Sequence, residues 1–269
     1  MKASGSLVLA GFFWLLLGVF IFLPVIFLLM SPFAGLWPYP GIFPETWTTR
    51  GMDFLLTEGP AILFSLGSSF LYSLGAVLLA LIFSWHPAWF LANHSFRGKL
   101  FFEGLLLAPA LVPAITFAPG IQQRFIFLGI VDTPLGVSLV LALVSFPYML
   151  RALKLGFLRF DPRYVQAGRN LGAGPFQIFT SLALPAMLPY LVSGGGLVFL
   201  IAFSEYFLVF LIGGGIVPGF PGYLVPFIRS GDRVIGSSLT LVFLIIPLGL
   251  FALQELLLAR IYRGRKDVS

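Results

Sequence analysis

The sequence contains no cysteine. That removes a disulfide framework, a thiolate metal site and a cysteine nucleophile. Histidine is almost as scarce, since His86 and His94 are the only two. They are expected to flank a cytoplasmic loop, eight residues apart with Pro87 between them, and that spacing is not that of metal ligands. No metal site is expected. Charge is the third shortage. Asp, Glu, Lys and Arg make up 10% of the chain, against about 25% in soluble domains. No Ser/His/Asp constellation, no HExxH motif and no pair of membrane carboxylates is present, so catalysis is not expected. A phosphate-binding G-x-x-x-x-G-K-[ST] loop is also missing. The one Gly-Lys pair, Gly98-Lys99, stands in the wrong context for it.

What fills the chain is apolar. Hydrophobic residues make up 59% of it, mean hydropathy is +1.02, and Phe occurs 31 times. A soluble fold of 269 residues cannot hide that much apolar surface, whereas a bilayer accepts it. The net charge of +6 would suggest nucleic acid in a soluble protein. Here the placement of the basic residues matters more, because it sets membrane topology, and no nucleic-acid partner is expected.

A bilayer core needs roughly 20 apolar residues per helix. Six segments qualify, at about 7–30, 61–84, 100–118, 135–152, 186–212 and 237–259. The sequence therefore predicts an all-α, polytopic membrane protein, one transmembrane domain over 1–269 with about six helices. The first segment is too long for a signal-peptide core and reads as a retained helix. The third carries Pro109 and Pro113, tolerable where neighbours satisfy the freed carbonyls. With the N-terminus cytoplasmic, Lys2, Arg97, Lys99, Arg151, Lys154, Arg159, Arg163, Arg169, Arg260, Arg263, Arg265 and Lys266 fall inside. Only Arg50, Arg124, Arg229 and Arg233 fall outside. This is a strong positive-inside bias. Trp37, Trp47, Trp85 and Trp89 lie near segment ends and read as interface anchors. Glu103 and Glu255, near the inner ends of the third and sixth spans, are expected to be solvated or paired. Gln122, Gln123 and Arg124 sit at the outer mouth, as a wet loop or a contact for a binding protein.

The longest cytoplasmic stretch, 154–185, carries the most information. Asp161 followed by Pro162 is a helix start, with an N-cap acceptor and then a proline in the first turn. Gly172 is a natural stop. A second start at Gly174-Pro175 predicts another short helix to Leu184, before Pro185. On the first helix, Tyr164, Ala167, Gly168 and Leu171 share one side. A face with small residues at its centre suits docking into a groove on another protein. Packing against the chain's own bundle is the alternative.

This loop resembles the signature loop of permease subunits of binding-protein-dependent ABC importers. The family pattern is Glu-Ala-Ala, three residues, Gly, nine residues, Ile, one residue, Leu-Pro. The present chain has Gln166-Ala167-Gly168, Gly172, Leu182 and Leu184-Pro185 at those spacings. Gln166 departs from the pattern by removing a charge. The most similar branches are the polyamine-type permeases, with thiamine and iron permeases of like build. The resemblance implies a type I importer permease in the bacterial inner membrane. It implies a coupling loop formed by Tyr164, Gln166, Ala167, Gly168, Leu171, Gly172, Leu184 and Pro185. The implied partners are two ATP-binding subunits, an extracytoplasmic solute-binding protein and a second permease, more readily a different chain than a copy. ATP and Mg would be held by the ATP-binding subunits, with no cofactor on this chain.

Glu205 lies in the apolar fifth segment. A charge at mid-bilayer costs about 2.5–3.5 kcal/mol on insertion scales, so such groups face a cavity or a partner. The polyamine-type resemblance implies a substrate path at Glu205, with Ser204 and Tyr206 beside it, and a carboxylate there suits a polyamine-like cation. A packing role at a subunit interface is the alternative. Gly194, Gly195 and Gly196 permit close helix contact, whereas Gly213, Gly214 and Gly215 read as a plain loop, with a gate hinge as the alternative. A self-contained secondary transporter or channel would need coupling charges in several spans, and only Glu205 is deep.

Overall fold

The computed structural model describes the backbone of residues 2–38 and 40–266, with side chains for 11–38, 40–161 and 163–260. The side chains of Lys2, Arg263, Arg265 and Lys266, placed on the inner face above, lie outside the described residues. The described chain is helical, with no strand among the described residues beyond an isolated bridge between Ala34 and Trp47. Its helices are α1 (Lys2–Met30), α2 (Arg50–Thr57), α3 (Gly59–Asn93), α4 (Lys99–Leu107), α5 (Ala114–Phe127), α6 (Pro134–Arg159), α7 (Pro162–Asn170), α8 (Pro175–Ile178), α9 (Leu184–Ser204), α10 (Phe207–Gly213), α11 (Phe220–Arg229) and α12 (Arg233–Lys266). The chain divides into two compact units, Met1–Leu63 with Tyr223–Ile245, and Phe64–Gly222 with Ile246–Ser269.

In the first unit, α1 is apolar on all sides, and Phe12, Trp14, Phe20 and Phe22 are exposed, as a lipid-facing helix requires. The polar loop after it is pinned by its own backbone. Gly35 donates to the Thr46 carbonyl at 2.8 Å, and Leu36 donates to Thr46 Oγ1 at 2.7 Å. Arg50 is ion-paired with Asp232. Phe54 of α2 meets Phe227 of α11 edge-on at 5.2 Å.

The second unit is built on α6 and α9. Between membrane helices there is no hydrophobic drive, so close packing at small residues supplies the attachment. Gly156 lets Met187 and Tyr190 approach α6; a Cβ there would stand 2.8 Å from each. Gly194 faces Ala152 in the same way, at 2.7 Å. The three glycines of α9 point to three different helices. Gly194 meets α6, Gly195 meets Val77 of α3, and the Gln254 side chain of α12 lies directly on Gly196. Consecutive residues turn by about 100° around a helix axis, so a run of three small residues accommodates three neighbours. Gln254 also donates to the Val192 carbonyl at 3.2 Å.

Five helices are long and apolar enough to cross a membrane, and α4 with α5 forms a pair bent by 90°. The third segment is thus not the continuous span that the sequence suggested. Pro109 and Pro113 supply no amide hydrogen, and Pro113 takes extended geometry (ψ 131°) just before α5. Glu103, the middle residue of α4, is ion-paired with Lys154 close to the end of α6. The chain leaving α5 reaches Thr133, whose hydroxyl accepts from Gly136 at 3.0 Å and caps the start of α6. Lys154 stands twenty residues beyond Pro134, roughly 30 Å along the helix, which is the thickness of the hydrocarbon core. The bent pair therefore runs between the two ends of α6 and is a candidate sixth crossing.

Three further expectations need correction. First, α3 runs to Asn93, about 52 Å long, so His86 lies inside the helix rather than beside a loop. Second, Trp85 is half-buried; it packs edge-on against Phe157 at 5.2 Å and Phe179 at 6.1 Å, and it is not a surface anchor. Third, no helix ends before Pro185. The turn of α8 passes through a π-helical segment, Phe179–Ala183, straight into α9. The wider π turn accommodates the donor that Pro185 lacks.

Candidate functional site: an exposed loop and a broken fifth span

The start of α7 forms as its residues dictate. The Asp161 carboxylate accepts from the Arg163 amide at 2.8 Å, and Pro162 follows the cap. The end is a Schellman turn. Gly172 takes φ +80°, its amide donates to Arg169 at 3.0 Å, and Ala173 donates to Gly168 at 3.0 Å. The result is a nine-residue helix held rigidly at both ends.

The face of α7 differs in part from the expected one. Gly168 is buried, and a Cβ there would stand 3.3 Å from Ile178 and 3.4 Å from Leu182. It is the contact that folds α7 back on the next helix, not the centre of an outer docking surface. The outer surface is its flank, where Tyr164, Gln166, Ala167 and Leu171 are exposed. Leu171 is 87% exposed and Phe176 is 80% exposed, so two large apolar side chains protrude from a polar loop. Gly172 and Pro185 are exposed as well, and Leu184 is half-buried in the first turn of α9. Behind the loop lies a groove of about 580 Å³ lined by Arg159, Phe160, Tyr164, Leu182, Pro185 and Tyr190 among others.

The fifth span is interrupted at its most polar point. Helix α9 stops at Ser204, Glu205 is extended (ψ 119°), and α10 begins at Phe207. Glu205 therefore does not sit mid-helix, as the unbroken apolar run suggested. Its carboxylate accepts from the Leu208 amide at 3.1 Å, serving one of the free donors at the start of α10. Glu205 and Tyr206 are half-buried. The exposed Ser204 hydroxyl donates back to Leu200 at 2.7 Å and leaves its lone pairs free. Tyr72 of α3 lies within electrostatic range of Glu205.

The far end of α10 is also held from outside. The Gln122 amide of α5 donates to the Leu211 carbonyl at 3.0 Å, and the Asp132 amide donates to the Ile212 carbonyl at 2.8 Å. Gln122 is thus a helix–helix contact rather than a wet loop residue. Gly213 is the last residue of α10, and Gly214 and Gly215 form the turn after it, with φ +54° and +78°. Among the described residues no group of His, Asp and Glu is placed to hold a metal.

Residues 87–262 match the family described as binding-protein-dependent transport system inner membrane component. This stretch contains the loop, Glu205 and α10. The chain is 30% identical over 144 residues to the molybdenum transport system permease protein ModB of Escherichia coli (strain K12), covering 49% of this chain and 63% of that protein. It is 32% identical over 149 residues to the probable sulfate transport system permease protein cysT of Prototheca wickerhamii, covering 51% and 58%. It spans less than two thirds of either relative. It is 29% identical over 185 residues to the spermidine/putrescine transport system permease protein PotC of Haemophilus influenzae (strain ATCC 51907 / DSM 11121 / KW20 / Rd), covering 68% and 71%. In fold it is similar to a bacterial ABC transporter involved in the import of alginate, with TM-score 0.68, 16% identity and 94% and 95% coverage. It is likewise similar to the MetNI methionine ABC transporter, with TM-score 0.58, 16% identity and 80% and 99% coverage. With a multi-pass helical fold and a family match over most of its length, the chain belongs to the binding-protein-dependent transport system inner membrane components.

Proposed function

We propose that this chain is the permease subunit of an ATP-driven importer of the bacterial inner membrane, moving a small solute delivered by an extracytoplasmic binding protein. The observation that carries this reading is the rigidly capped loop at α7, with Tyr164, Leu171 and Phe176 protruding from it. Exposed apolar side chains on a polar loop mark a docking surface. Two ATP-binding subunits are the partners that this surface fits, and ATP and Mg belong to them. A second permease chain completes the pathway. The solute class rests on Glu205. Its carboxylate stands half-buried at the broken span, next to the exposed Ser204 hydroxyl oxygen and Tyr206, and favours a cation of the polyamine kind. Among the relatives, the spermidine/putrescine permease name carries that chemistry.

The test is reconstitution in vesicles with and without the ATP-binding subunits from the same host. Uptake is expected only with them and with ATP. Uptake by this chain alone would make it a self-contained transporter and sink the proposal. In the same assay Leu171→Glu is expected to insert normally and lose the ATP-binding subunits, while Glu205→Gln is expected to lower uptake of a cationic solute. Unchanged cation uptake in Glu205→Gln would remove the solute assignment alone.

A further inference from the structure

The seven residues of α10 are held at both ends by groups outside the helix. At its start the Glu205 carboxylate accepts from Leu208. At its end Gln122, 89 residues away in sequence, donates to Leu211, and the Asp132 amide donates to Ile212. A helix this short is unstable by itself, so these ties and packing fix where it stands. Its inner side is tightly packed, with Leu208 and Ile212 fully buried. A Cβ on Gly213 would stand 3.1 Å from Val217 and 3.3 Å from Val137. Its connections are non-helical by contrast. The Glu205 interruption precedes it, and two glycines with positive φ follow it. A packed plug between two breaks in the helix, at the outer end of a span, has the form of a gate.

We propose that Gln122 is a positioning residue of the transport cycle, and that its amide latches α10 as an outer gate against α5. The tie is one neutral hydrogen bond in a half-buried place. Its net worth is on the order of 1 kcal/mol, so it holds the gate and still opens within a conformational cycle. The Glu205 cap stays with α10 on either side of that step, because cap and helix are neighbours in sequence. The latch crosses directly from α5 to α10, so a relative movement of these two helices must break it. This inference rests on the permease reading for its consequence in transport, though the latch itself is tested without it.

Two measurements decide it. The absence of native cysteine makes Leu208→Cys a single reporter of the space behind α10. In right-side-out vesicles without ATP, a membrane-impermeant maleimide reads its exposure. Gln122→Leu and Gln122→Glu both remove the donor, whereas Gln122→Lys keeps one. Labelling of Leu208→Cys is expected to rise about five-fold in the first two, the factor that corresponds to 1 kcal/mol, and to stay within two-fold of the parent with Gln122→Lys. Equal labelling in all four backgrounds overturns the latch, whatever partners the chain has. Should the donor-less variants fail to accumulate, hydrogen exchange on the unsubstituted transporter, assembled with its ATP-binding subunits, decides the question. The amides of 210–213 are expected to be protected without ATP and to exchange faster in the vanadate-trapped state. Identical exchange in both states overturns the proposal. A chain that never recruits ATP-binding subunits contradicts the permease reading and leaves the labelling result standing.

Discussion

The packing of α9 makes a graded prediction within three adjacent residues. A methyl group added at Gly194 would stand 2.7 Å from the Ala152 methyl and 3.2 Å from Met149 Sδ. The first is a carbon–carbon distance well inside contact, and Ala152 has no flexible end to yield. Overpacking of this kind costs about 1–3 kcal/mol. At Gly195 the nearest atom is a Val77 methyl at 3.5 Å, an ordinary contact, and alanine gains up to about 1 kcal/mol in helix propensity. At Gly196 the added methyl would overlap the Gln254 amide. That side chain can swing away, at the loss of its hydrogen bond to Val192, about 0.5–1.5 kcal/mol. The expected order of loss is therefore Gly194→Ala, then Gly196→Ala, with Gly195→Ala neutral or stabilising. Reversible SDS unfolding in mixed micelles, followed by far-UV circular dichroism, measures it. Ala152→Gly in the Gly194→Ala background removes the clashing methyl and is expected to restore at least half of the loss, a coupling that a double-mutant cycle isolates. If Gly195→Ala is the most damaging of the three, or Ala152→Gly restores nothing, this packing is wrong.

Asp161→Ala removes the cap of α7 and is expected to cost about 1 kcal/mol locally, seen as faster hydrogen exchange at the Arg163 amide with the membrane helices unchanged. Gly172→Ala places a side chain at φ +80° and is expected to loosen the same helix at its other end by about 1 kcal/mol. Glu205→Gln keeps an acceptor oxygen for Leu208 and should hold α10, while Glu205→Ala should raise exchange at the Leu208 amide several-fold; equal exchange in both would remove the capping role. Lys154→Met breaks the pair with Glu103, both side chains of which are largely covered (20% and 23% exposed), and is expected to cost on the order of 1 kcal/mol. The exchanged pair Glu103→Lys with Lys154→Glu should recover part of it in the same unfolding assay.

The local chemistry of α7 was legible in the sequence, because caps and stops are written in single residues. Asp161, Pro162 and Gly172 each do there what their backbone preferences demand. The direction in which its face points was legible only in part. Periodicity puts Tyr164, Ala167, Gly168 and Leu171 on one side, but that side is broad. Ile178 and Leu182, on the next helix, decide that the Gly168 edge turns inward. The break at Glu205 gave no signal, since no proline or glycine stands between Ile201 and Phe210 and the surrounding run is apolar enough to cross as one helix. The prolines of the third span were visible, yet the angle between α4 and α5 depends on what each half packs against. The tie from Gln122 to Leu211 joins residues too distant in sequence for any local pattern to pair them.

The most direct test of the permease reading uses the exposed tip of the loop. Leu171→Cys, in a chain with no other cysteine, is assembled in native membranes with the ATP-binding subunits of the same host and treated with a short bifunctional maleimide–amine reagent. Ile216→Cys, exposed beyond the other end of the fifth span, is the control. The expected result is a covalent adduct between Leu171→Cys and an ATP-binding subunit, and none from Ile216→Cys. A complex in which the adduct is absent from Leu171→Cys, or forms equally from Ile216→Cys, contradicts the assignment of α7 as the place where the driving subunit docks.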